Sequence, residues 1–361
     1  VSGQVSSRLA VCIPTYRRSR LLCRLLEDLA GQTLQPQTVI VVDGEPPSGE
    51  VLRALREAAL PASWRLVYVP SNHANLAYQR YLGWRAAAGA DCLLYLDDDL
   101  ILRNPAALEK VLAPLVRGER GVVAVTAAIT ISGSNEERSL RPSGLAARLV
   151  ELFGSGRGVR PGDLTPSGHR QAPVYRGREY EEVAWLRGGV MAIRMDALGP
   201  ECFSDALFAL TEVGCGTGED TFLGRRLSAK GRILLVFDTG IEHPNSDTPK
   251  ACPSDPYGFG RALSYSRRLL NDYYRGFGPP RLADRVALVK SYAGNLALAW
   301  LRAVTSLRRD HCRYALGYTT GVALGLLRKP TARNLTPHID WWRDAERALA
   351  AAMTLARGSM P

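Results

Sequence analysis

Paired cysteines are missing: the seven in the chain, at positions 12, 23, 92, 202, 215, 252 and 312, stand singly, with no C-x-x-C pair and an odd total. That pattern fits reduced thiols packed as small core residues better than a disulfide framework. Long apolar runs are missing too. Ser291 to Leu301 and Tyr314 to Leu327 are each shorter than the roughly 20 residues that a membrane-spanning helix requires. Residues 1–10 (VSGQVSSRLA) show no basic start followed by an apolar stretch, as a secretory signal would, so the expected location is cytoplasmic. No internal repeat occurs. The stretch after the first apolar run, Pro14-Thr15-Tyr16-Arg17-Arg18-Ser19, has no glycine, which argues against the Gly-rich phosphate loop of a nucleotidyl transferase. Acidic residues are scarce toward the C-terminus. From Ala251 to Pro361 there are 17 Lys and Arg against 7 Asp and Glu, an excess of ten that accounts for nearly all of the net +11. Such a basic third fits an anionic membrane surface or nucleic acid as partner, or a solvated face with none.

With 361 residues, of which 46% are hydrophobic, the chain can bury the core of one large α/β domain and leave about a hundred residues for an appendage. Strand-like runs at Leu9 to Ile13, Thr38 to Asp43, Arg65 to Val69 and Cys92 to Leu96 alternate with helical patterns at Ser19 to Ala30, Ser48 to Ala59 and Leu76 to Ala88. That βαβαβαβ order predicts an α/β fold with a mostly parallel central sheet and helices on both faces, and ligands at the carboxyl ends of the strands. A helix is expected over Pro105 to Arg117, strands at Gly121 to Thr126, Val190 to Arg194 and Ile233 to Phe237, and a helix at Asp220 to Lys230. The Gly-, Pro- and Arg-rich stretch from Ser132 to Arg178 reads as a functional loop or lid, or as disorder. After the Pro-rich break at Asp247 to Pro256 the pattern turns helical, with candidates at Gly258 to Tyr274, Arg285 to Thr305, Cys312 to Leu327 and Ile339 to Ala356. The expected division is residues 1–250 as the catalytic unit and 251–361 as a basic helical appendage. Its two middle helices either pack as an ordinary subdomain or lie in a membrane interface, with Arg302, Arg308, Arg309, Arg313, Arg328 and Lys329 facing lipid phosphates.

The strongest local signal is Leu93-Leu94-Tyr95-Leu96-Asp97-Asp98-Asp99, an apolar strand running into three adjacent carboxylates. Like charges in a row repel, and a divalent cation would neutralise them; solvated turn residues are the plainer alternative. If strand geometry persists, Asp97 and Asp99 share one side and Asp98 faces the other. Gly218-Glu219-Asp220-Thr221 stands at an expected helix start, where carboxylates also serve as simple N-terminal charges. His243 follows the last strand, either as a structural residue or as part of a site.

Taken in order, these segments resemble the inverting family 2 glycosyltransferases, which have the GT-A fold, over about Leu9 to His243. Val11-Cys12-Ile13-Pro14-Thr15-Tyr16-Arg17 looks like that family's first strand and nucleotide loop, so the resemblance implies nucleotide contacts from Pro14, Thr15, Tyr16 and Arg17. Val39-Ile40-Val41-Val42-Asp43-Gly44 looks like its second, with Asp43 at the base. Asn72 to Gly83 is similar to the segment that precedes the acidic motif, matched by Arg80 and Gly83, although Tyr81 and Ala77 replace the usual Asn and Gly. Asp97-Asp98-Asp99 resembles the DxD motif, which implies that Asp97 meets ribose or metal, that Asp98 lies at the nucleotide-sugar and that Asp99 binds the metal, helped by His243. Trp185 to Arg194, with Gly188 and Gly189, is similar to the acceptor-side loop and strand. Gly218-Glu219-Asp220 resembles the ED motif, with Glu219 at the sugar and Asp220 as the catalytic base.

The implied reaction is metal-dependent transfer of a sugar from a UDP, GDP or dTDP donor to an acceptor hydroxyl on a glycan or lipid-linked molecule. The chemistry asks for these residue types: a cation, Mn²⁺ or Mg²⁺, balances charge on the leaving diphosphate, and a carboxylate takes the hydroxyl proton in one in-line displacement. No second nucleophile for a double displacement is evident. Two other readings are a catalytically silent relative and a nucleic-acid-binding module using Tyr265, Tyr273 and Tyr274 among Arg267, Arg268 and Arg275. The acidic cluster at 97–99 opposes nucleic acid near the cleft, so no nucleic-acid partner is expected.

Overall fold

The computed structural model describes residues 8–131, 134–135, 159–244 and 255–355. Its first half follows the alternation of the sequence: β1 (Leu9–Thr15), α1 (Ser19–Ala30), β2 (Thr38–Asp43), α2 (Glu50–Glu57), β3 (Arg65–Pro70), α3 (Leu76–Ala86) and β4 (Cys92–Leu96). Then come β5 (Ile101–Leu102), α4 (Ala107–Val116), β6 (Val122–Ala127), β7 (Thr130–Ile131), β8 (Ser134–Asn135), β9 (Tyr180–Val183) and β10 (Val190–Arg194). After α5 (Asp205–Glu212), α6 (Glu219–Ser228), β11 (Arg232–Val236) and β12 (Ile241–His243), the C-terminal region carries α7 (Pro256–Asp272), α8 (Leu282–Ser306), α9 (Arg309–Leu327), α10 (Ala332–Leu335), α11 (Trp341–Ala350) and β13 (Met353–Thr354).

Among the described residues nine strands form the central sheet, in the order β13-β3-β2-β1-β4-β10-β6-β11-β9. β1, β2, β3, β4, β6 and β11 run one way, and β9, β10 and β13 run against them. Side chains alternate between two apolar layers, as strand geometry requires. Ala10, Cys12, Ile40, Val42, Leu93 and Tyr95 face α3, α5 and α6. Leu9, Val11, Ile13, Val39, Val41, Leu94 and Leu96 face the leucines of α1 and the apolar side of α4. α3 lies close on β1: a Cβ on Gly83 would stand 2.1 Å from Cys12 Sγ, so glycine at this position sets the distance at which Arg80, one turn earlier, reaches the sheet end.

The expected boundary near residue 250 marks a change to helix, yet the core continues across it. Ala262, Tyr265, Leu269 and Leu270 of α7 and Trp341, Ala345 and Ala348 of α11 belong to the same apolar layer as α3 and α5. The last helix was expected to reach Ala356; it stops at Ala350, and Met353 and Thr354 pair with Tyr68 and Val67 on the otherwise open edge of β3. α8 and α9 stack outside this layer on α7. Gly260, Gly317 and Gly321 allow close approach there, since a Cβ on Gly317 would lie 2.0 Å from the Tyr257 carbonyl oxygen. Among the described residues no helix is long and apolar enough to cross a membrane. The six described cysteines form no disulfide; Cys252, and residues 132–133 and 136–158 of the expected loop, lie outside the described residues.

Candidate active site

Where β1 lies between β2 and β4 the connections diverge, and the carboxyl ends of the strands open onto a crevice. β4 ends at Leu96 and the chain turns at once, so the alternation expected for the three aspartates does not persist. Asp97 meets the Arg80 guanidinium at 3.0 Å. Asp98 and Asp99 instead share Arg18, whose Nη1 is 2.9 Å from Asp98 Oδ1 and 3.1 Å from Asp99 Oδ2. Thr15 Oγ1 donates to Asp98 Oδ2 at 2.8 Å. Burial lifts the Asp97 pKa to about 6, with Arg80 pulling it down and the two neighbouring aspartates adding to the rise. Burial opposes ionisation of Asp99 as well, but His243 and Arg18 outweigh it and hold its pKa below the usual value.

β12 brings His243 to the acidic turn by pairing Glu242 with Ile101, two residues past Asp99, in the small sheet β5-β12-β7-β8. His243 Nε2 stands 3.2 Å from Asp99 Oδ1, a buried oxygen that receives no well-aligned hydrogen bond. Neighbouring ligands on an octahedral ion with bonds of roughly 2.1 Å are about 3 Å apart, so the pair fits two adjacent positions on one hard cation. Among the described residues no group of three or more His, Cys, Asp or Glu side chains gathers in this way.

β10 runs antiparallel to β4, with Val190 opposite Leu96, and this delivers Gly188 and Gly189 to the acidic end of the sheet. The Gly189 carbonyl accepts from Asp97 N at 3.1 Å. The Arg80 fork spans Asp97, Glu219 Oε1 (2.8 Å) and the Gly188 carbonyl (2.7 Å), tying β4, α6 and the loop before β10 together. Burial works against the charge of Arg80, and its carboxylate neighbours more than restore it. Asp220, in the first turn of α6, accepts from Gly188 N at 2.9 Å, from Thr221 N at 2.6 Å and from Arg170 at 3.3 Å. Burial raises its pKa, but Arg170, Arg80 and these backbone donors prevail and keep Asp220 below the usual value, while burial and Asp220 push adjacent Glu219 up. Asp220 is therefore ionised at neutral pH.

These groups surround a cavity of about 660 Å³. Of the residues expected at the site, Pro14, Thr15, Tyr16, Asp97, Asp98, Asp99, Glu219, Asp220 and His243 line it. Arg80 stands behind Asp97 and Glu219, Gly188 packs against Arg80 and Asp220, Gly189 packs near Asp97, and none of the three lines the cavity. Asp43 is fully buried, its carboxylate bonded to Tyr68 Oη and Glu45 N, each at 2.9 Å, and does not line the cavity. Arg17 points outward to Glu45 at 2.8 Å; it is Arg18 that turns inward. Sequence reasoning passed over Arg18, Gln79, His169, Arg170, Thr217 and Arg267 as site residues, all on the cavity wall. The only mark of Arg18 in the sequence is its place beside Arg17 in the stretch after β1. Gln79 fastens the mouth of the sheet by donating to the Thr15 and Val42 carbonyls at 2.9 Å each.

The mostly parallel sheet sets an acidic turn at its switch point and a carboxylate at a helix start across the same cavity. Residues 10–175 match the model of glycosyl transferase family 2. Among curated proteins the chain is 33% identical over 103 residues to the uncharacterised glycosyltransferase YwdF of Bacillus subtilis, covering 28% of this chain and 36% of that one. It is 28% identical over 259 residues to validoxylamine A glucosyltransferase of Streptomyces hygroscopicus, covering 67% of this chain and 53% of the relative. The chain thus spans between a third and about half of the length of these relatives. Among solved structures, the mannosyltransferase PcManGT of Pyrobaculum calidifontis, in complex with GDP-mannose and Mn²⁺, aligns with a TM-score of 0.47 at 16% identity, over 89% of this chain and 87% of that one.

Proposed function

We propose that the chain transfers a sugar, with inversion, from a nucleotide diphosphate donor of UDP, GDP or dTDP type to an acceptor hydroxyl, with Asp220 as the base. One observation carries the reading: the ionised Asp220 carboxylate, aimed by the Gly188 and Thr221 amides, opens on the same cavity as Asp99 and His243. A divalent cation, Mn²⁺ or Mg²⁺, held by Asp99 and His243 supplies neutralisation of the charge that develops on the departing diphosphate. Asp97, Asp98 and Glu219 face the nucleotide-sugar, and Pro14, Thr15 and Tyr16 form the wall along which it lies. Arg18 keeps the acidic turn in shape, and Arg80 keeps Asp97 and Glu219 in fixed relation to Asp220. The acceptor hydroxyl loses its proton to Asp220 as it attacks the anomeric carbon; general-base help of this kind contributes about 10²- to 10⁴-fold. Titration calorimetry with UDP, GDP and dTDP, each with Mn²⁺ and with EDTA, tests the donor half. Binding of one nucleotide that vanishes with EDTA is expected, and no binding by any of the three overturns the reading.

A membrane-borne acceptor is part of the same proposal. Along α8, Leu282, Val286, Val289, Ala293, Ala297, Trp300 and Val304 recur at three- and four-residue spacing and are all exposed, Leu282 at 81%. Exposed Arg281, Lys290, Arg302, Arg308 and Arg309 flank this stripe, and the acid within α8, Asp284, is buried against Arg275 at 2.8 Å. An apolar stripe bordered by cations suits the headgroup layer of an anionic bilayer, at a cytoplasmic membrane face.

A further inference from the structure

One cation on the cavity wall, Arg267 of α7, has no carboxylate partner among the described residues. Arg18 is matched by Asp98 and Asp99. The Arg267 Nη1 donates to the Gly168 carbonyl, and its Nε is buried without an acceptor. The charged and titratable groups that face it are Arg170, a like charge, His169, held neutral by burial and by Arg267 itself, and the phenols of Tyr292, Tyr314 and Tyr318. Desolvating a guanidinium costs several kcal/mol, and such groups are normally paired with an anion. The wall that carries them is built. Thr165 Oγ1 meets Ser167 Oγ at 2.9 Å and accepts from His169 N at 3.0 Å, and Asn271 donates to the Pro166 carbonyl at 2.7 Å. Gly168, at φ +78° and with room for no Cβ beside Leu270, brings this loop close enough to α7 for Arg267 to reach it. Arg170, on the same loop, touches the Asp220 carboxylate and stacks over Trp185 at 5.5 Å.

We propose that the acceptor bears an anionic oxygen group, phosphate or carboxylate, which Arg267 and Arg170 bind so that its hydroxyl comes to Asp220. The proposal rests on the transferase reading above. Guanidinium forks match both anions with paired hydrogen bonds, whereas neutral sugars offer no charge to balance them. Arg267 here is a specificity-determining residue and Asp220 the catalytic one.

The chain, saturated with the nucleotide it binds and Mn²⁺, is titrated with inorganic phosphate and separately with acetate. Saturable binding of one of them is expected, weakened about tenfold or more by Arg267→Gln, as for loss of a charge-assisted hydrogen bond, and partly restored by Arg267→Lys. Nucleotide affinity should change less than about twofold in these variants. A phosphate response assigns a phosphorylated acceptor and an acetate response a carboxylated one. The proposal is overturned if the wild type binds neither anion, if Arg267→Gln binds as well as wild type, or if the anion competes with nucleotide, which would put Arg267 on the donor. Should Arg267→Gln fail to fold, Arg170→Gln, at a side chain 42% exposed, decides by the same criteria. If no nucleotide binds, the transferase reading falls, and the anion titrations without nucleotide still report on Arg267.

Discussion

Replacing Arg80 by Met keeps an unbranched side chain in the space and removes the charge that three groups share. Arg80 is 2% exposed, and its loss leaves Asp97 and Glu219 facing each other across the Gly188 carbonyl with no cation between them. Breaking a buried ion pair from one side costs about 3–5 kcal/mol, and because the Asp97 and Glu219 side chains keep 27% and 21% exposure the lower end applies, about 3 kcal/mol. An unfolding entropy of roughly 2.1 cal/mol/K per residue converts this into a Tm lower by about 4 °C for a chain of this length. The pH dependence carries the sharper test. Asp97 already has a folded-state pKa raised to about 6, so its protonated form is favoured on folding, and the stability this brings is lost as pH rises through that value. Without Arg80 both carboxyls shift further upward. The deficit of Arg80→Met should be small near pH 4, where the carboxyls are protonated in either protein, and should grow to its full size by about pH 8. Arg80→Lys should recover part of the stability, since an ammonium can balance the charge but cannot span three acceptors as a fork does. Thermal and urea unfolding of the three proteins across this range measure it. A deficit that stays constant with pH, or one under about 1 kcal/mol at pH 8, refutes the reasoning.

Asp220→Asn should lower transfer by about 10²- to 10⁴-fold while leaving nucleotide affinity nearly intact; near-wild-type turnover would remove Asp220 from the role of base. Asp99→Asn should weaken nucleotide binding in the presence of Mn²⁺, and EDTA should then make little further difference; a variant as metal-responsive as wild type counts against Asp99 as a ligand. His73 sits between Asp344 Oδ2 at 3.2 Å and Glu212 Oε1 at 3.5 Å, and although burial opposes its charge, the two acids raise its pKa above the usual 6.5. Its contribution is therefore fully present below about pH 6.5 and lost as pH rises through the higher folded-state value, so the Tm advantage of wild type over His73→Gln should shrink between about pH 6 and 9. An advantage that grows over that interval contradicts the sign. Val286→Asp with Val304→Asp, both on the exposed α8 stripe, should abolish sedimentation with vesicles containing phosphatidylserine and leave nucleotide binding unchanged; equal sedimentation of variant and wild type eliminates α8 as the membrane face.

Periodicity alone carries the first half of the fold. Runs such as Val39 to Val42 and Leu93 to Leu96 are apolar without interruption because both faces of their strands are covered, and they specify a sheet with helices on each side. The acidic triplet at the end of β4 and the Glu219-Asp220 pair at the start of α6 stand out in the sequence, but solvated turns and helix starts use such charges too, and only the structure brings both to one cavity. Strand direction was not legible. Val190 to Arg194 reads the same in either orientation, and only the antiparallel course of β10 puts Gly188 beside Asp97 and Asp220. Nor does sequence say that β12 lies on β5, which is what brings His243 to Asp99 across more than a hundred residues. Composition made residues 251–361 look like a separate basic unit, whereas Trp341 and Tyr265 complete the main core. Arg17 and Arg18 are neighbours of one type, and the left-handed backbone at Arg17, φ 57°, decides that one meets Glu45 at the surface and the other the aspartates. The sequence by itself determined which segments become strands and helices and where carboxylates gather, since those follow from local spacing and burial. Which carboxylates face which cations was decided by tertiary structure, because ion pairs and ligand sets depend on distances between segments that no local pattern encodes.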